Sequence, residues 1–252
     1  MYNLSTVKKN VCIVIPCYNE EKGLAVQEYR HFIEENPEVL ICFVNDGSSD
    51  NTLTILEGIK SRFPKQVIVH SYIKNMGKAE AIRSGFHYCH YHHQFDYIAY
   101  LDADLATSLE ECLAMTCFLN TDINFVFGSR IKRIGAVIER SHYRFFIGRI
   151  IATVISYILK LNVYDTQCGC KIFSTPLAEV VFKDAFVSKW LFDVEIFDRI
   201  IKFYGRDNVL KKMLEVPLLR WVDRGDSKVK ASYFIKLWID LYRIHNIVNS
   251  KK

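Results

Sequence analysis

FDYIAYLDADLAT, residues Phe95–Thr107, is the stretch on which the fold assignment depends. An apolar run from Tyr97 to Leu101 leads directly into Asp102 and Asp104, which predicts a buried strand that ends at a polar sheet edge. Side chains at i and i+2 lie on the same side of a strand, so the two carboxylates are expected to lie close together. Such a pair repels unless a positive charge lies between its members, and oxygen ligands suit Mg²⁺ or Mn²⁺. A cation bound there would in turn hold a diphosphate; an ordinary polar turn is the alternative.

Three strand–loop–helix units precede this stretch. The apolar runs Val11–Ile15, Val39–Val44 and Val67–Ser71 each end in a polar loop, and a helical pattern follows each loop. The repeat predicts a Rossmann-like, doubly wound and mostly parallel sheet with right-handed crossovers. No G-x-G-x-x-G follows the first strand, which argues against a nicotinamide-dependent dehydrogenase.

The polar loops of these units are expected to converge. Ligands of doubly wound sheets bind outside the carboxyl ends of the strands. The four segments at those ends are Tyr18–Glu20, Asp46–Asp50, Asn75–Lys78 and Asp102–Asp104. Four loops at one edge are stronger evidence for a ligand site than any one of them.

The second half of the chain predicts fewer and less regular elements. Short strands are expected at Phe125–Phe127, which is followed by Arg130, and at Ile172–Phe173. A last strand is expected at Leu214–Trp221, with a loop at Arg224–Lys228 after it. The stretch between the first two strands is basic and carries Lys132, Arg133, Arg140 and Arg144.

Two amphipathic segments are candidates for contact with a membrane surface. Phe145–Leu161 carries a broad apolar band with two basic residues beside it; the band is Phe145, Phe146, Ile150, Ile151, Val154, Ile155 and Ile158, and the basic residues are Arg149 and Lys160. Tyr233–Val248 has apolar residues at helical spacing. Neither reaches the roughly 20 clean apolar residues that span a bilayer, so we expect helices that lie in the interface. Packing on the core is the alternative, and for the tail it has equal weight.

The composition restricts the class of protein. The 252 residues are 50% hydrophobic and 13% aromatic, which excludes disorder and supports a full core. A net charge of +5 suits an anionic ligand or membrane surface and does not indicate nucleic acid. The eight cysteines form no C-x-x-C pair, and the first ten residues contain no apolar signal core. We therefore expect buried, reduced thiols in a cytoplasmic protein that is peripheral on the inner face of a membrane.

The motifs together resemble glycosyltransferase family 2. They are IPCYNE, VNDGSSD, NMGKAEAIRSG, YLDADLAT, GSR, DTQCGCKIF, WLFDVE and the loop at 225–228, in that order over residues 10–230. The resemblance is strongest to the dolichyl-phosphate or polyprenyl-phosphate glucosyl- and mannosyltransferases, because DTQCGCK and WLFDVE are the more specific signs of a lipid-phosphate acceptor. It implies a GT-A fold over residues 1–230, with 231–252 as a C-terminal amphipathic helix. Three positions depart from the family pattern: Asn45 precedes Asp46 where many members have a second aspartate, Ala106 stands where some mannosyl relatives have a glutamine metal ligand, and Cys170 replaces a usual phenylalanine.

The resemblance also implies roles for particular residues. Those expected to bind the nucleotide are Pro16, Tyr18, Glu20, Asp46, Lys78, Asp102 and Lys228. Asp102 and Asp104 are the expected metal ligands, and the catalytic set comprises both of them with Asp165, Gln167 and Lys171. Arg130 and Arg144 are expected to hold the acceptor phosphate, since guanidinium groups suit phosphate geometry. Turn residues and solvated surface charges are the alternatives, and Asp193 and Glu195 are either site residues or helix caps.

The implied reaction is an inverting transfer of a hexose, most simply glucose from UDP-glucose, to a polyprenyl or dolichyl phosphate with Mg²⁺ or Mn²⁺. Within the family, GDP-mannose is an alternative donor and a glycan hydroxyl an alternative acceptor, which would require Asp165 or Asp193 as a base. A nucleotidyltransferase would require a Gly- and Arg-rich phosphate loop, and IPCYNE is not one. A non-catalytic nucleotide-sugar-binding module is the third alternative, and the intact Asp102 and Asp104 argue against it.

Overall fold

The structure is a computed structural model that describes residues 10–139, 142–189, 191–222, 240, 241 and 243, with residues 142–144 described by their backbone alone. The strands are β1 (Val11–Cys17), β2 (Leu40–Asp46), β3 (Val67–Tyr72), β4 (Tyr97–Leu101), β5 (Phe125–Ser129), β6 (Val137–Glu139), β7 (Cys170–Ser174), β8 (Met213–Pro217) and β9 (Arg220–Val222). The helices are α1 (Val26–Glu35), α2 (Thr52–Arg62), α3 (Lys78–His92), α4 (Leu109–Met115), α5 (His142–Leu159), α6 (Thr175–Val181), α7 (Phe192–Tyr204) and α8 (Arg206–Val209).

The central sheet confirms the predicted doubly wound, mostly parallel architecture. Among the described residues, seven strands pair in the order β3-β2-β1-β4-β7-β5-β8. The first four are parallel, β7 runs antiparallel to both of its neighbours, and β8 is parallel to β5. The antiparallel β7 lies between β4 and β5, so it carries its motif to the same region as the carboxyl ends of those strands.

Both faces of the sheet are covered, which explains the continuous apolar runs of β1 and β2. One hydrophobic cluster includes Val14, Phe86, Tyr100 and Phe197, and the other includes Ile13, Tyr29, Leu101 and Cys170. All eight cysteines lie in described segments and are free thiols, seven of them buried, in agreement with the sequence analysis.

The prediction of one last strand at Leu214–Trp221 was wrong. The segment forms two strands, β8 in the central sheet and β9 in a small parallel sheet with β6, a strand that the sequence pattern did not indicate. Pro217 ends β8, and the N–H groups of Leu219 and Arg220 donate to the Glu111 carboxylate of α4 instead of to a neighbouring strand. These two hydrogen bonds therefore hold the backbone where it passes from the central sheet to the small sheet.

Helix α5 occupies most of the predicted amphipathic segment, but its apolar band is divided. Ile155 and Ile158 are buried in the core cluster, which corrects their assignment to a membrane-facing band. Phe146 and Ile150 remain exposed, by 69% and 49%, so one apolar side still faces outward. In the described part of the chain no helix is long and apolar enough to cross a bilayer.

The remaining C-terminal predictions fall almost entirely outside the described residues. They are Lys228 in the loop at 224–228 and the helix at 233–248, with the division at residue 230. Two residues of the tail are informative: Leu241 is 3% exposed within the core cluster, and Asp240 accepts a hydrogen bond from the Ser188 hydroxyl. This part of the tail packs on the core.

Candidate active site

The polar loops at the carboxyl ends of the strands are joined by direct hydrogen bonds. Asn19, after β1, donates from its backbone N–H to the Ser48 hydroxyl after β2, at 3.0 Å. Asp46 at the end of β2 accepts hydrogen bonds from the loop before α3, and Lys78 at the start of α3 forms an ion pair of 2.5 Å with Asp102 after β4. The predicted convergence of four loops on one edge is therefore confirmed.

The first loop places three predicted nucleotide-binding residues at this edge. Pro16 is the next-to-last residue of β1. Tyr18 lies directly after the strand and is 39% exposed. The Glu20 N–H donates to the Thr52 hydroxyl at the start of α2, which fixes the loop against the second one. An exposed phenol ring beside a carboxylate suits a base and a ribose, and these roles stay predictions.

Asp46 shapes the neighbouring loop. It is 2% exposed, and its two carboxylate oxygens accept hydrogen bonds from the N–H groups of Met76 and Gly77 at 2.7 and 2.8 Å. Burial raises the pKa of Asp46, and these two hydrogen bonds oppose that rise. Gly77 has φ of 99°, a conformation that favours glycine, directly before α3. Asp46 thus holds the turn that delivers Lys78 to Asp102, a task that the sequence pattern did not reveal.

The Asp102–Asp104 segment is fixed by its backbone. The Tyr29 hydroxyl donates to the Ala103 carbonyl at 3.0 Å, and the Ala106 N–H donates to Asp104 Oδ1 at 2.9 Å. Burial, followed by the charge of Asp102, raises the pKa of Asp104. Burial alone would lower the pKa of Lys78, but neighbouring carboxylates, first Asp102, outweigh it and raise that pKa. The two aspartates therefore form a crowded anionic pair beside one ammonium group.

This pair fits a hard divalent cation. A cation relieves the repulsion between two carboxylates, one of which, Asp104, has a raised pKa, and both side chains offer oxygen donors. No third His, Cys, Asp or Glu joins them within the described ranges. Asp102 and Asp104 could thus hold a divalent cation whose other ligands would be phosphate oxygens and water, as is common for Mg²⁺.

Gly169 is a residue of the site to which the sequence analysis assigned no role. A Cβ atom built on Gly169 would lie 1.9 Å from Asp102 Oδ2. The turn before β7 therefore packs its backbone directly on the Asp102 carboxylate, and only glycine leaves room for it. The signal was present in the sequence, because the glycine belongs to DTQCGCK, but its partner could not be known without the pairing of β7 with β4.

Arg130 and Asp165 form a buried, two-point ion pair. Arg130 Nε and Nη2 donate to Asp165 Oδ2 and Oδ1 at 2.6 and 2.8 Å, and the two side chains are 14% and 9% exposed. Burial would raise the pKa of Asp165, but the Arg130 charge and hydrogen bonds outweigh it and hold the pKa at about 2. Asp165 is therefore an anchor for Arg130 and a very weak base.

The loop that carries Asp165 is fixed by a second carboxylate. Glu215 of β8 accepts hydrogen bonds from the N–H groups of Tyr164 and Asp165 at 3.0 and 2.8 Å. The Gln167 N–H donates to Asp165 Oδ1 at 3.1 Å, while Gln167 Nε2 is buried and makes no hydrogen bond to any described residue. Sequence reasoning missed Glu215 because its isolated position in a strand carries no recognisable pattern.

Lys171, a member of the predicted catalytic set, contacts other groups of the protein. Its side chain is fully buried, and Nζ donates to Asp193 Oδ1 and to the Cys168 carbonyl, both at 2.6 Å. The Tyr100 hydroxyl donates to the same Asp193 oxygen. The Lys171–Asp193 pair lies behind the site, where it holds the turn at 168–170 in place. Glu195, in contrast, accepts the N–H groups of Val187 and Ser188 and so ties the preceding loop to α7.

The side chains of two further predicted residues lie outside the described part of the protein. The Arg144 backbone lies in α5, and its side chain is outside the described part, as is the whole of Lys228. Of the predicted acceptor arginines, Arg130 alone can be placed within the described residues.

Comparisons with known proteins agree with this architecture. The family model described as glycosyl transferase family 2 matches residues 12–182. Dolichyl-phosphate beta-glucosyltransferase ALG5C of Trichomonas vaginalis is 35% identical over 245 residues, which cover 92% of this chain and 69% of that relative. The dolichyl-phosphate beta-glucosyltransferase of Drosophila melanogaster is 28% identical, with 92% and 73% covered. The dolichyl-phosphate beta-glucosyltransferase of Homo sapiens is 29% identical; the match covers 75% of this chain and 62% of that relative.

Solved structures share the fold at low identity. Glucosyl-3-phosphoglycerate synthase from Mycobacterium tuberculosis, in complex with phosphoglyceric acid, superposes with a TM-score of 0.69 at 12% identity, covering 96% of this chain and 80% of that one. The same enzyme with Mn²⁺, UDP and glucosyl-3-phosphoglycerate gives a TM-score of 0.66 at 13% identity and the same coverage. Mannosyl-3-phosphoglycerate synthase from Rubrobacter xylanophilus gives 0.66 at 15%, with 94% and 73% covered. The GT-A fold is therefore shared.

Proposed function

The chain belongs to glycosyl transferase family 2, and we propose that it transfers glucose from UDP-glucose to the phosphate of a polyprenyl or dolichyl phosphate, with inversion at the anomeric carbon. The names of its relatives support glucose and dolichyl phosphate as sugar and acceptor. Mn²⁺ and UDP in a structural neighbour support a nucleotide donor with a divalent cation. Mg²⁺ and Mn²⁺ are both of the class that two carboxylates bind.

The observation that carries the choice of acceptor is the state of the two candidate bases. A hydroxyl acceptor needs a group that removes its proton, with a pKa near the working pH. The pKa of Asp165 is held at about 2, and Asp193 is buried against Lys171 and Tyr100. Neither carboxylate is suited to act as that base. A phosphate monoester is already anionic, so it needs no strong base, and it suits a site that presents an arginine.

The described residues divide the work between donor and acceptor. Tyr18 and Glu20 contact the nucleoside, and Lys78 neutralises charge next to Asp102. A divalent cation held by Asp102 and Asp104 would stabilise the charge that develops on the departing diphosphate. Arg130 holds the acceptor phosphate, which keeps one oxygen in line with the anomeric carbon. The bond from that oxygen to the carbon forms as the bond to the UDP oxygen breaks, on the opposite face.

We further propose that the protein works at a membrane surface, where the phosphate of a lipid acceptor lies. The outward side of α5 carries Phe146, Ile150 and Tyr157, exposed by 69%, 49% and 80%. Arg149 of the same helix donates to the Tyr164 carbonyl at 2.8 Å, next to Asp165, so this helix is attached to the acceptor loop. An apolar helix side with basic residues nearby suits an anionic interface on the cytoplasmic face.

The proposed activity is tested with purified protein, radiolabelled UDP-glucose, Mg²⁺ and a short-chain polyprenyl phosphate. We expect organic-phase product that depends on both metal and lipid phosphate. Parallel reactions with GDP-mannose, with the matching polyprenol that lacks a phosphate, and with free oligosaccharide separate the alternatives. Equal product with polyprenol or oligosaccharide would contradict the phosphate acceptor, and preferential use of GDP-mannose would contradict the donor.

A further inference from the structure

The side chain of Trp221 lies against the guanidinium of Arg130. The guanidinium carbon is 5.2 Å from the centroid of the Trp221 ring, a distance at which a cation is attracted to an aromatic face. Asp165 binds one edge of the same guanidinium. Arg130 is therefore held by a carboxylate on one edge and has an aromatic ring next to its guanidinium.

The ion pair with Asp165 leaves a second edge of the guanidinium for a ligand. Asp165 takes Nε and one hydrogen of Nη2. A guanidinium has five N–H donors, and Nη1 and the other hydrogen of Nη2 donate to no side chain in the described part of the protein, so this end can hold two phosphate oxygens. Because the Arg130 side chain is only 14% exposed, a ligand can approach it from few directions.

Trp221 is itself held in place by the elements around the metal site. The two residues before Trp221 donate their N–H groups to Glu111; they are Leu219, which precedes β9, and Arg220, its first residue. The residue after it, Val222, donates its N–H to the Ala106 carbonyl at 3.2 Å, two residues beyond Asp104. Trp221 also pairs with Ile138 in the small sheet of β6 and β9. The backbone on both sides of Trp221 is therefore fixed.

We propose that Trp221 is a positioning residue, which fixes the plane of the Arg130 guanidinium so that its free end faces the acceptor phosphate. A two-point ion pair fixes the direction of a guanidinium but leaves it able to tilt about the line between the two carboxylate oxygens. An aromatic ring next to the guanidinium opposes that tilt. The inference rests on the proposed function, because it takes the phosphate of a lipid acceptor as the ligand of Arg130.

The test compares Trp221→Leu, which removes the aromatic face, with Trp221→Phe, which keeps one. We expect Trp221→Leu to raise the acceptor KM about tenfold, while kcat and the Kd for UDP change less than about twofold. Trp221→Phe should stay within about threefold of the wild-type acceptor KM, because a smaller ring still attracts the cation. Phe203→Leu, at an aromatic residue of α7 that is 51% exposed, controls for the loss of an aromatic side chain elsewhere.

Calorimetric titration with a short-chain prenyl phosphate, without donor, separates this inference from the proposed function. Weaker binding by Trp221→Leu than by wild type supports the inference even if no glucose is transferred. Equal binding by the two proteins would overturn it, and so would the absence of any binding by wild type. If Trp221→Leu and Trp221→Phe both lose UDP affinity and melting temperature together, Trp221 has a purely structural role and the inference is wrong.

Discussion

Among single residues, Asp102 is held by contacts from residues that are distant from it in the sequence. Gly169 supports Asp102 from the turn before β7, and Lys78 approaches it from α3. The sequence analysis expected Asp102 and Asp104 to lie close together through alternation in a strand, but β4 ends at Leu101 and the two aspartates lie in the turn after it. The partners of Asp102 were not predictable, because they depend on which strands are neighbours in the sheet.

We expect Gly169→Ala to lower the transfer activity strongly and the free energy of unfolding only moderately. The new methyl group would lie 1.9 Å from Asp102 Oδ2 and displace that carboxylate from Lys78. Overpacking of this kind costs about 1–3 kcal/mol of folding free energy, and the atom that moves belongs to the carboxylate that we propose as a metal ligand. Gly58→Ala is the matched control, since a Cβ at Gly58 on α2 meets nothing within 4 Å. It should be active and about 0.5–1 kcal/mol more stable. A fully active Gly169→Ala protein would show that Asp102 is not needed where the structure places it.

Asp104→Asn is expected to lower turnover at least about 100-fold while leaving the melting temperature equal or higher. The pKa of Asp104 is raised in the folded protein, first by burial, so its carboxyl group loses its proton at a lower pH in the unfolded chain than in the folded one. Stability is therefore lost as pH rises from the ordinary aspartate pKa through the raised one, and the neutral amide avoids that loss. Thermal unfolding at pH 5 and pH 7.5 checks the sign. Asp122→Asn, at a side chain that is 84% exposed, is the control. A lower melting temperature for Asp104→Asn at pH 7.5 would contradict the account.

At the scale of the element, regular segments were predictable and short ones were not. The helices and strands from β1 to β4 follow from apolar runs, polar loops and βαβ spacing. The division of Leu214–Trp221 into β8 and β9 was missed, because the turn depends on Pro217 and on a carboxylate from distant α4. The two sides of α5 were also not separable by sequence, since both are apolar and only packing distinguishes Ile155 from Ile150.

The outward side of α5 gives a prediction about membrane binding. The double variant Phe146→Glu, Ile150→Glu should reduce flotation with anionic vesicles at low salt, because carboxylates replace apolar area and repel the surface. Its transfer to a detergent-dispersed short-chain acceptor should be nearly unchanged. Leu210→Glu, at a residue that is 65% exposed after α8, is the control and should float like wild type. Unchanged flotation of the double variant would mean that α5 is not the membrane contact.

At the scale of the whole molecule, the site is a property of the sheet order. The polar loops meet at the edge where β1, β2 and β4 end, and the antiparallel β7 brings the DTQCGCK turn beside Asp102. Because the βαβ spacing dictates the first part, the convergence of these loops could be derived from the sequence, while the nucleotide-binding roles of their residues came from the resemblance. The acceptor side could not be derived, since the Arg130–Asp165–Glu215 arrangement requires β5, β8 and the 164–167 loop to meet. Its residues were named through the resemblance, and the weak basicity of Asp165 became visible only in the structure.

The most direct test of the central claim, that this edge is a metal-dependent UDP site, is calorimetric titration of UDP into the wild-type protein with Mn²⁺ and with EDTA. We expect UDP to bind at least about tenfold more weakly with EDTA than with Mn²⁺, since without a cation the diphosphate and the two carboxylates repel each other. Asp104→Asn should show the weak affinity under both conditions, and GDP should bind less tightly than UDP. Equal UDP affinity with Mn²⁺ and with EDTA in the wild-type protein would contradict the account.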